Sequence, residues 1–264
     1  MNDQMLSVLR PRPVDNPQLC MYLLHHAGGS HTIFRSWIPL FPPAWEIRLV
    51  VAPGRGKAAA HPAVRDLDLV NAALADHLAA RHDDVPYALF GHSMGALAAF
   101  GAALRVQESG HRPPEWVGVS GHPGPFHSLT RSGPRLYQLA PDDLRGVLLA
   151  MGGLPERILR DDWIWERIQA VVRADLEAAE SWRPRTPAVL DRPMSAFCGA
   201  DDPVASTADT VNWAPHSTNF LGTRTFPGGH FYFAGEHTRL VAQLVTDVHI
   251  ALGNESAEDP IPQM

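Results

Sequence analysis

The sequence predicts an α/β fold: a mostly parallel central sheet with helices on both faces. Three observations carry that prediction. Short apolar runs recur along the chain, at Leu19–Leu24, 47–51, 86–90, Trp116–Ser120, 194–198 and 219–226. They are continuous rather than alternating, as strands buried on both faces are. Amphipathic or alanine-rich segments of helical length separate several of them, at 66–81 and 94–109, and strands alternating with helices indicate parallel pairing. The chain has 264 residues, 45% of them hydrophobic and 19% charged, enough for one sizeable core.

The elements follow in order. Leu19–Leu24 reads as a buried strand, closed by the small-residue loop His25-His26-Ala27-Gly28-Gly29-Ser30. The run 47–51 ends at Ala52-Pro53-Gly54. In 66–81, Val70, Leu74 and Leu78 recur at helical spacing behind Asp66 as N-cap. The run 86–90 leads into Gly91-His92-Ser93-Met94-Gly95, and 94–109 is a helix closed by Gly110. Between 124 and 192 the alternation breaks. Pro141-Asp142-Asp143-Leu144, Gly152-Gly153-Leu154-Pro155 and a helix over 163–182 read as a helical insertion forming a lid above the sheet. Residues 1–252 form one domain in this reading, and the polar tail 253–264, with two prolines, reads as disordered.

Several classes of function are disfavoured. The net charge is −6, so neither a nucleic-acid footprint nor attraction to an anionic membrane is expected. No apolar run is long enough to span a bilayer. The start, Met1-Asn2-Asp3-Gln4, lacks a basic segment followed by an apolar run. Cys20 and Cys198 each lie in an apolar segment and read as buried, reduced thiols, which suits a cytoplasmic protein.

The chemistry is concentrated at Gly91-His92-Ser93-Met94-Gly95. A serine between two glycines where a strand meets a helix is a nucleophile elbow. The turn is tight enough to exclude bulky neighbours, and it lifts the hydroxyl above the sheet. A serine hydroxyl is a poor nucleophile without a histidine base, and the base needs an acid to fix its tautomer. On α/β-hydrolase scaffolds the chain order is Ser, acid, His. The acid is expected just after a late strand, where Asp201 and Asp202 compete. Asp202, directly before Pro203, has the better turn position. His230, in Gly228-Gly229-His230-Phe231, is the candidate base. Candidate oxyanion donors are the backbone N–H groups of Met94, just after the nucleophile, and Ala27, in the loop after an early strand.

The remaining histidines, of 14 in all, read as packing or surface residues. His92 is expected to pack inside the elbow. His25 and His26 are expected to pack and hydrogen-bond. Zinc at His25, His26 and His31 is disfavoured because no cysteine or carboxylate lies close in sequence. Gly54-Arg55-Gly56-Lys57 lacks the outer glycine and the Ser/Thr of a phosphate loop, since Val51 and Ala58 occupy those places.

Together, His26-Ala27-Gly28-Gly29-Ser30, Pro53-Gly54-Arg55, the elbow and Gly228-Gly229-His230-Phe231 resemble the type II thioesterases, the stand-alone editing hydrolases of polyketide and nonribosomal peptide synthetases. Met151-Gly152-Gly153-Leu154-Pro155 and residues 173–180 are similar to that family's lid segments. The resemblance implies an α/β-hydrolase fold and hydrolysis of acyl thioesters on the phosphopantetheine arm of an acyl or peptidyl carrier protein. It implies Ser93, Asp202 and His230 as triad, Ala27 and Met94 as oxyanion donors, no cofactor and no metal. Monomer is the default expectation. The chain departs from the family at Gly56-Lys57-Ala58-Ala59-Ala60, where an acidic residue and a further arginine are usual, and at Ser120-Gly121-His122-Pro123, which is less basic. The same triad also serves a carboxylesterase or an acyltransferase. A non-catalytic module docking on a synthase is a third reading, which the complete triad argues against.

Overall fold

The computed structural model describes residues 5–81, 84–126, 133–185, 187–235 and 237–253. Seven strands form one sheet: β1 (Ser7–Arg12), β2 (Leu19–Leu24), β3 (Trp45–Val51), β4 (Tyr87–His92), β5 (Trp116–Ser120), β6 (Leu190–Gly199) and β7 (Ser217–Phe226), in the order β1-β3-β2-β4-β5-β6-β7. Every pairing is parallel except β1 with β3. The predicted fold class is therefore the observed one.

Strand β2 shows why the apolar runs are continuous. Cys20, Tyr22 and Leu24 enter one core, and Leu19, Met21 and Leu23 enter the other. On the first face lie α1 (Leu67–Ala79) and α2 (Met94–Glu108). On the second lie α7 (Thr238–Ala251), through Leu240, Val241, Leu244 and Val248, and the 3-10 segment His31–Leu40, through Phe34 and Trp37. Helix α1 starts where the sequence places it: Asp66 Oδ1 accepts from Asp68 N–H at 2.9 Å.

Strand β1 and the last helix are among the elements the sequence did not announce. Strand β1, Ser-Val-Leu-Arg-Pro-Arg, carries a proline and two arginines and reads poorly as a strand. It tolerates them because it is an edge strand whose register shifts between Leu9 and Arg12. Helix α7 follows the candidate base and closes the second face of the sheet.

Between β5 and β6 lie α3 (Pro141–Met151), the short α4 (Glu156–Leu159) and α5 (Asp162–Ser181), and the one-turn α6 (Thr207–Thr210) follows β6. Helices α3 to α5 share a small core of their own, including Leu144, Leu148, Leu159, Trp165, Val172 and Leu176. Helix α3 ends at Gly152, which adopts the left-handed conformation at φ 78° while its N–H donates to Leu148 O. Residues 254–264, to which the expectation of a disordered tail mostly applies, lie outside the described residues.

The glycines flanking Ser93 are set by steric contact. A Cβ on Gly91 would sit 1.9 Å from the Gly95 carbonyl oxygen, and one on Gly95 would sit 2.3 Å from the Leu24 carbonyl oxygen. Both clashes are with backbone, which cannot swing away. Gly91→Ala should therefore cost about 3 kcal/mol or more, read as a large drop in thermal midpoint or loss of folded protein. Gly146→Ala, inside α3 with nothing within 4 Å of the added methyl, should instead stabilise by about 0.4–1 kcal/mol in the same assay.

Candidate active site

Ser93 occupies the junction between β4 and α2 at φ 57° and ψ −115°. It is one of two non-glycine residues with positive φ among those described. A serine at a helix N-cap ordinarily turns its hydroxyl onto the helix's own amides. Here the hydroxyl makes no capping bond, and the strained backbone directs it elsewhere. Ser93 N–H donates to Ser120 O at 2.7 Å, tying the elbow to the end of β5. Met94 is the first residue of α2, so its N–H is one of those with no intrahelical acceptor.

The structure brings Asp202 and His230 together from loops after β6 and β7. His230 Nδ1 lies 2.9 Å from Asp202 Oδ2 and 3.1 Å from Oδ1, and both side chains are essentially inaccessible. Asp202 Oδ1 also accepts from the N–H groups of Val204 and Ala205, which fixes the carboxylate. Asp201, the sequence competitor, is exposed. With Nδ1 engaged by the carboxylate, His230 Nε2 is buried and has no partner among the described residues. His230, Ser93 and Ala27 line one cavity of about 30 Å³, roofed by Leu148, Met151, Gly153, Leu154 and Leu176. That volume admits a water or two but no acyl chain. Past a wall that includes His26, Gly153, Leu154 and Phe231 opens a groove of about 1100 Å³, whose far side includes Thr32, Ser36, Ile164 and His237.

Three other histidines surround the site. His25 Nδ1 donates to His26 O at 2.8 Å, and its Nε2 accepts from Ala52 N–H, a set of partners that defines the tautomer. His26 Nε2 donates to Gly153 O at 2.9 Å, joining the Ala27 loop to the segment after α3. His92 Nδ1 lies 2.9 Å from Ser120 Oγ, which is in turn 2.8 Å from the Tyr232 hydroxyl. The His92 ring centroid lies 4.8 Å from that of His230. These three are packing and hydrogen-bonding residues, as the sequence suggests. Among the described residues no group of three or more His, Cys, Asp or Glu is placed to hold a metal ion.

Sequence reasoning missed the partner of Arg55. Its Nη2 lies 2.6 Å from Asp175 Oδ1 and its Nη1 2.6 Å from Oδ2, across 120 positions. Asp175 Oδ2 also accepts from Gly28 N–H at 2.7 Å, and Arg55 Nη1 donates to Gly29 O at 2.9 Å. Arg55 and Asp175 both sit in segments singled out by the sequence, but nothing local signals their meeting. The departing stretch after Arg55 forms a 3-10 turn, Gly56–Ala58, with Lys57 exposed. At the second departure, His122 O accepts from Trp213 Nε1 at 2.7 Å.

The chain and its fold have known counterparts. The thioesterase domain family matches residues 18–249. The chain belongs to the thioesterase family. Among its relatives, Thioesterase PikA5 of Streptomyces venezuelae is 30% identical over 87% of this chain and 81% of the relative. The type II thioesterase BorB from the borrelidin biosynthetic cluster superposes with a TM-score of 0.81 at 30% identity, covering 91% of this chain and 97% of BorB. RedJ, a thioesterase of the prodiginine pathway in Streptomyces coelicolor, gives 0.79 at 32% identity, covering 90% and 91%. The thioesterase described here thus shares the α/β-hydrolase fold of type II thioesterases from polyketide and nonribosomal peptide systems.

The buried histidines should make this thioesterase less stable in acid. Burial, then the neighbouring His230, pushes His26 down to about 3. Burial holds His25 and His92 well below the ordinary imidazole value, helped by Arg55 for His25 and by His230 for His92. Below the unfolded value near 6.5 the unfolded chain binds more protons than the native one, so stability falls as pH drops. For His26 that window runs from about 6.5 down to about 3. Each group contributes at most about 1.4 kcal/mol per pH unit. The thermal midpoint should fall from pH 7 to pH 5, and His26→Gln should flatten that dependence.

Proposed function

We propose that this thioesterase hydrolyses acyl thioesters carried on the phosphopantetheine arm of an acyl or peptidyl carrier protein, by way of an acyl-enzyme on Ser93. The observation that supports it most is the Asp202–His230 pair, whose bare Nε2 belongs to a residue lining the same cavity as Ser93. Ser93 Oγ attacks the thioester carbonyl and its proton passes to His230 Nε2. Asp202 holds the ring in the tautomer that leaves Nε2 free to accept, and it stabilises the imidazolium. The N–H groups of Ala27 and Met94 receive the tetrahedral oxyanion. The C–S bond breaks, the pantetheine sulfur takes the proton from His230, and the thiol departs. Water then attacks the Ser93 ester with His230 as base, releasing the acid and restoring the hydroxyl.

The carrier partner is inferred from the relatives: YbtT is a type II thioesterase of the yersiniabactin nonribosomal peptide/polyketide pathway, BorB comes from the borrelidin biosynthetic cluster and GrsT from gramicidin S biosynthesis. Among the described residues no helix is long and apolar enough to cross a membrane. Helices α3 to α5 serve as a lid. The Ser93 cavity is too small for substrate while Leu148, Leu154 and Leu176 roof it, so the lid has to shift for the arm to enter. The groove beyond His26 and Gly153 is the space into which the cavity would widen.

With an acyl carrier protein as substrate, Ser93→Ala should abolish release, and a fluorophosphonate should add its mass to the Ser93 peptide of the unaltered protein alone. Asp202→Asn should lower kcat about 10³–10⁴-fold, whereas Asp201→Asn should change it less than about twofold, as for a surface substitution away from the site. Undiminished hydrolysis by Ser93→Ala would remove the proposal. Faster turnover of a simple oxygen ester than of the carrier-bound thioester would favour a carboxylesterase.

A further inference from the structure

The proposed triad does not use a charged pair buried against the Ala27 loop. Arg55 and Asp175 have side chains only 10% and 4% exposed, and the guanidinium grips both carboxylate oxygens at 2.6 Å. Desolvating two charges is costly, and such a pair contributes little net stability on its own. What it contacts gives it another use. Asp175 Oδ2 accepts from Gly28 N–H, and Arg55 Nη1 donates to Gly29 O, so the two charges hold consecutive residues of the loop that carries Ala27. The peptide group bearing the Ala27 N–H is held on its other side, where His26 O accepts from His25 Nδ1 at 2.8 Å and from Gly29 N–H at 3.1 Å. The loop also rests on α5: Gly28 has φ 74°, and a Cβ there would sit 2.9 Å from Val172, one turn before Asp175.

Charge also requires both partners. A lone carboxylate this close to an oxyanion site would oppose the negative charge that develops there. The bidentate guanidinium cancels it while leaving the carboxylate able to accept from Gly28.

Building on the reading of Ser93 as nucleophile, we propose that Asp175, neutralised by Arg55, is a positioning residue for the reaction: through Gly28 it aims the Ala27 N–H at the oxyanion. An oxyanion donor helps chiefly in the tetrahedral state, so a misaimed one lowers kcat and leaves ground-state binding alone.

The test uses Asp175→Asn and Arg55→Lys in the full chain, with an acyl-pantetheine thioester as substrate. Two probes accompany it: an alkyl boronic acid, which becomes tetrahedral on Ser93, and the matching thioether, which does not react. Asp175→Asn should lower kcat about 10- to 100-fold and weaken boronate binding in parallel. KM and thioether affinity should stay within about threefold, as expected when a transition-state contact alone is lost. Arg55→Lys retains a cation but not the fork, so it should act in the same direction and carries the test if Asp175→Asn does not fold. Boronate affinity unchanged in both variants, or thioether affinity falling as steeply as kcat, would overturn the assignment. A wild-type protein that fails to bind the boronate would instead overturn the reading of Ser93, and this inference with it.

Discussion

The site depends first on a backbone contact with no room for a methyl group. Gly91 and Gly95 bring the end of β4, the start of α2 and the carbonyl of Leu24 within van der Waals contact. That contact forces the residue between them into positive φ, and it sets the first amide of α2 beside the hydroxyl. Everything else converges on that fixed point. The loop after β2 arrives with Ala27, the loop after β6 with Asp202 and the loop after β7 with His230, all from strand ends on one edge of a parallel sheet. Parallel order guarantees this convergence, because every strand from β2 to β7 runs in the same direction.

A second constraint is dryness. His25, His26, His92 and His230 are all buried, and one charged imidazole among them would repel any other. The packing favours neutral rings at His25, His26 and His92, each of which finds a specific polar partner. The surroundings of Ser93 are thus set by buried rings whose polar partners are already fixed.

Much of this was legible in the sequence because it is local. The elbow is a five-residue signal, the buried strands are continuous apolar runs, and Asp202 and His230 each stand at a loop that follows a strand. What was illegible is long-range or masked by composition. Arg55 and Asp175 meet across 120 residues through the fold alone. Strand β1 hides behind Pro11 and two arginines that only an edge position tolerates. The departure after Arg55 changes the outside of a turn, where Lys57 is exposed, and leaves the guanidinium's partners intact.

The two cysteines carry a last consequence. The proposed reaction liberates a thiol at every turnover, and a free thiol is itself an acyl acceptor and a partner for disulfide exchange. Cys20 and Cys198 are the chain's entire complement, and both are thiols outside any disulfide, wholly buried on separate strands. The native protein therefore offers no sulfur to which an acyl group could stray or with which released pantetheine could form a mixed disulfide. Burial thus separates the chemistry of the leaving group from the protein's own thiols, which should be silent to a thiol-reactive dye until the fold opens.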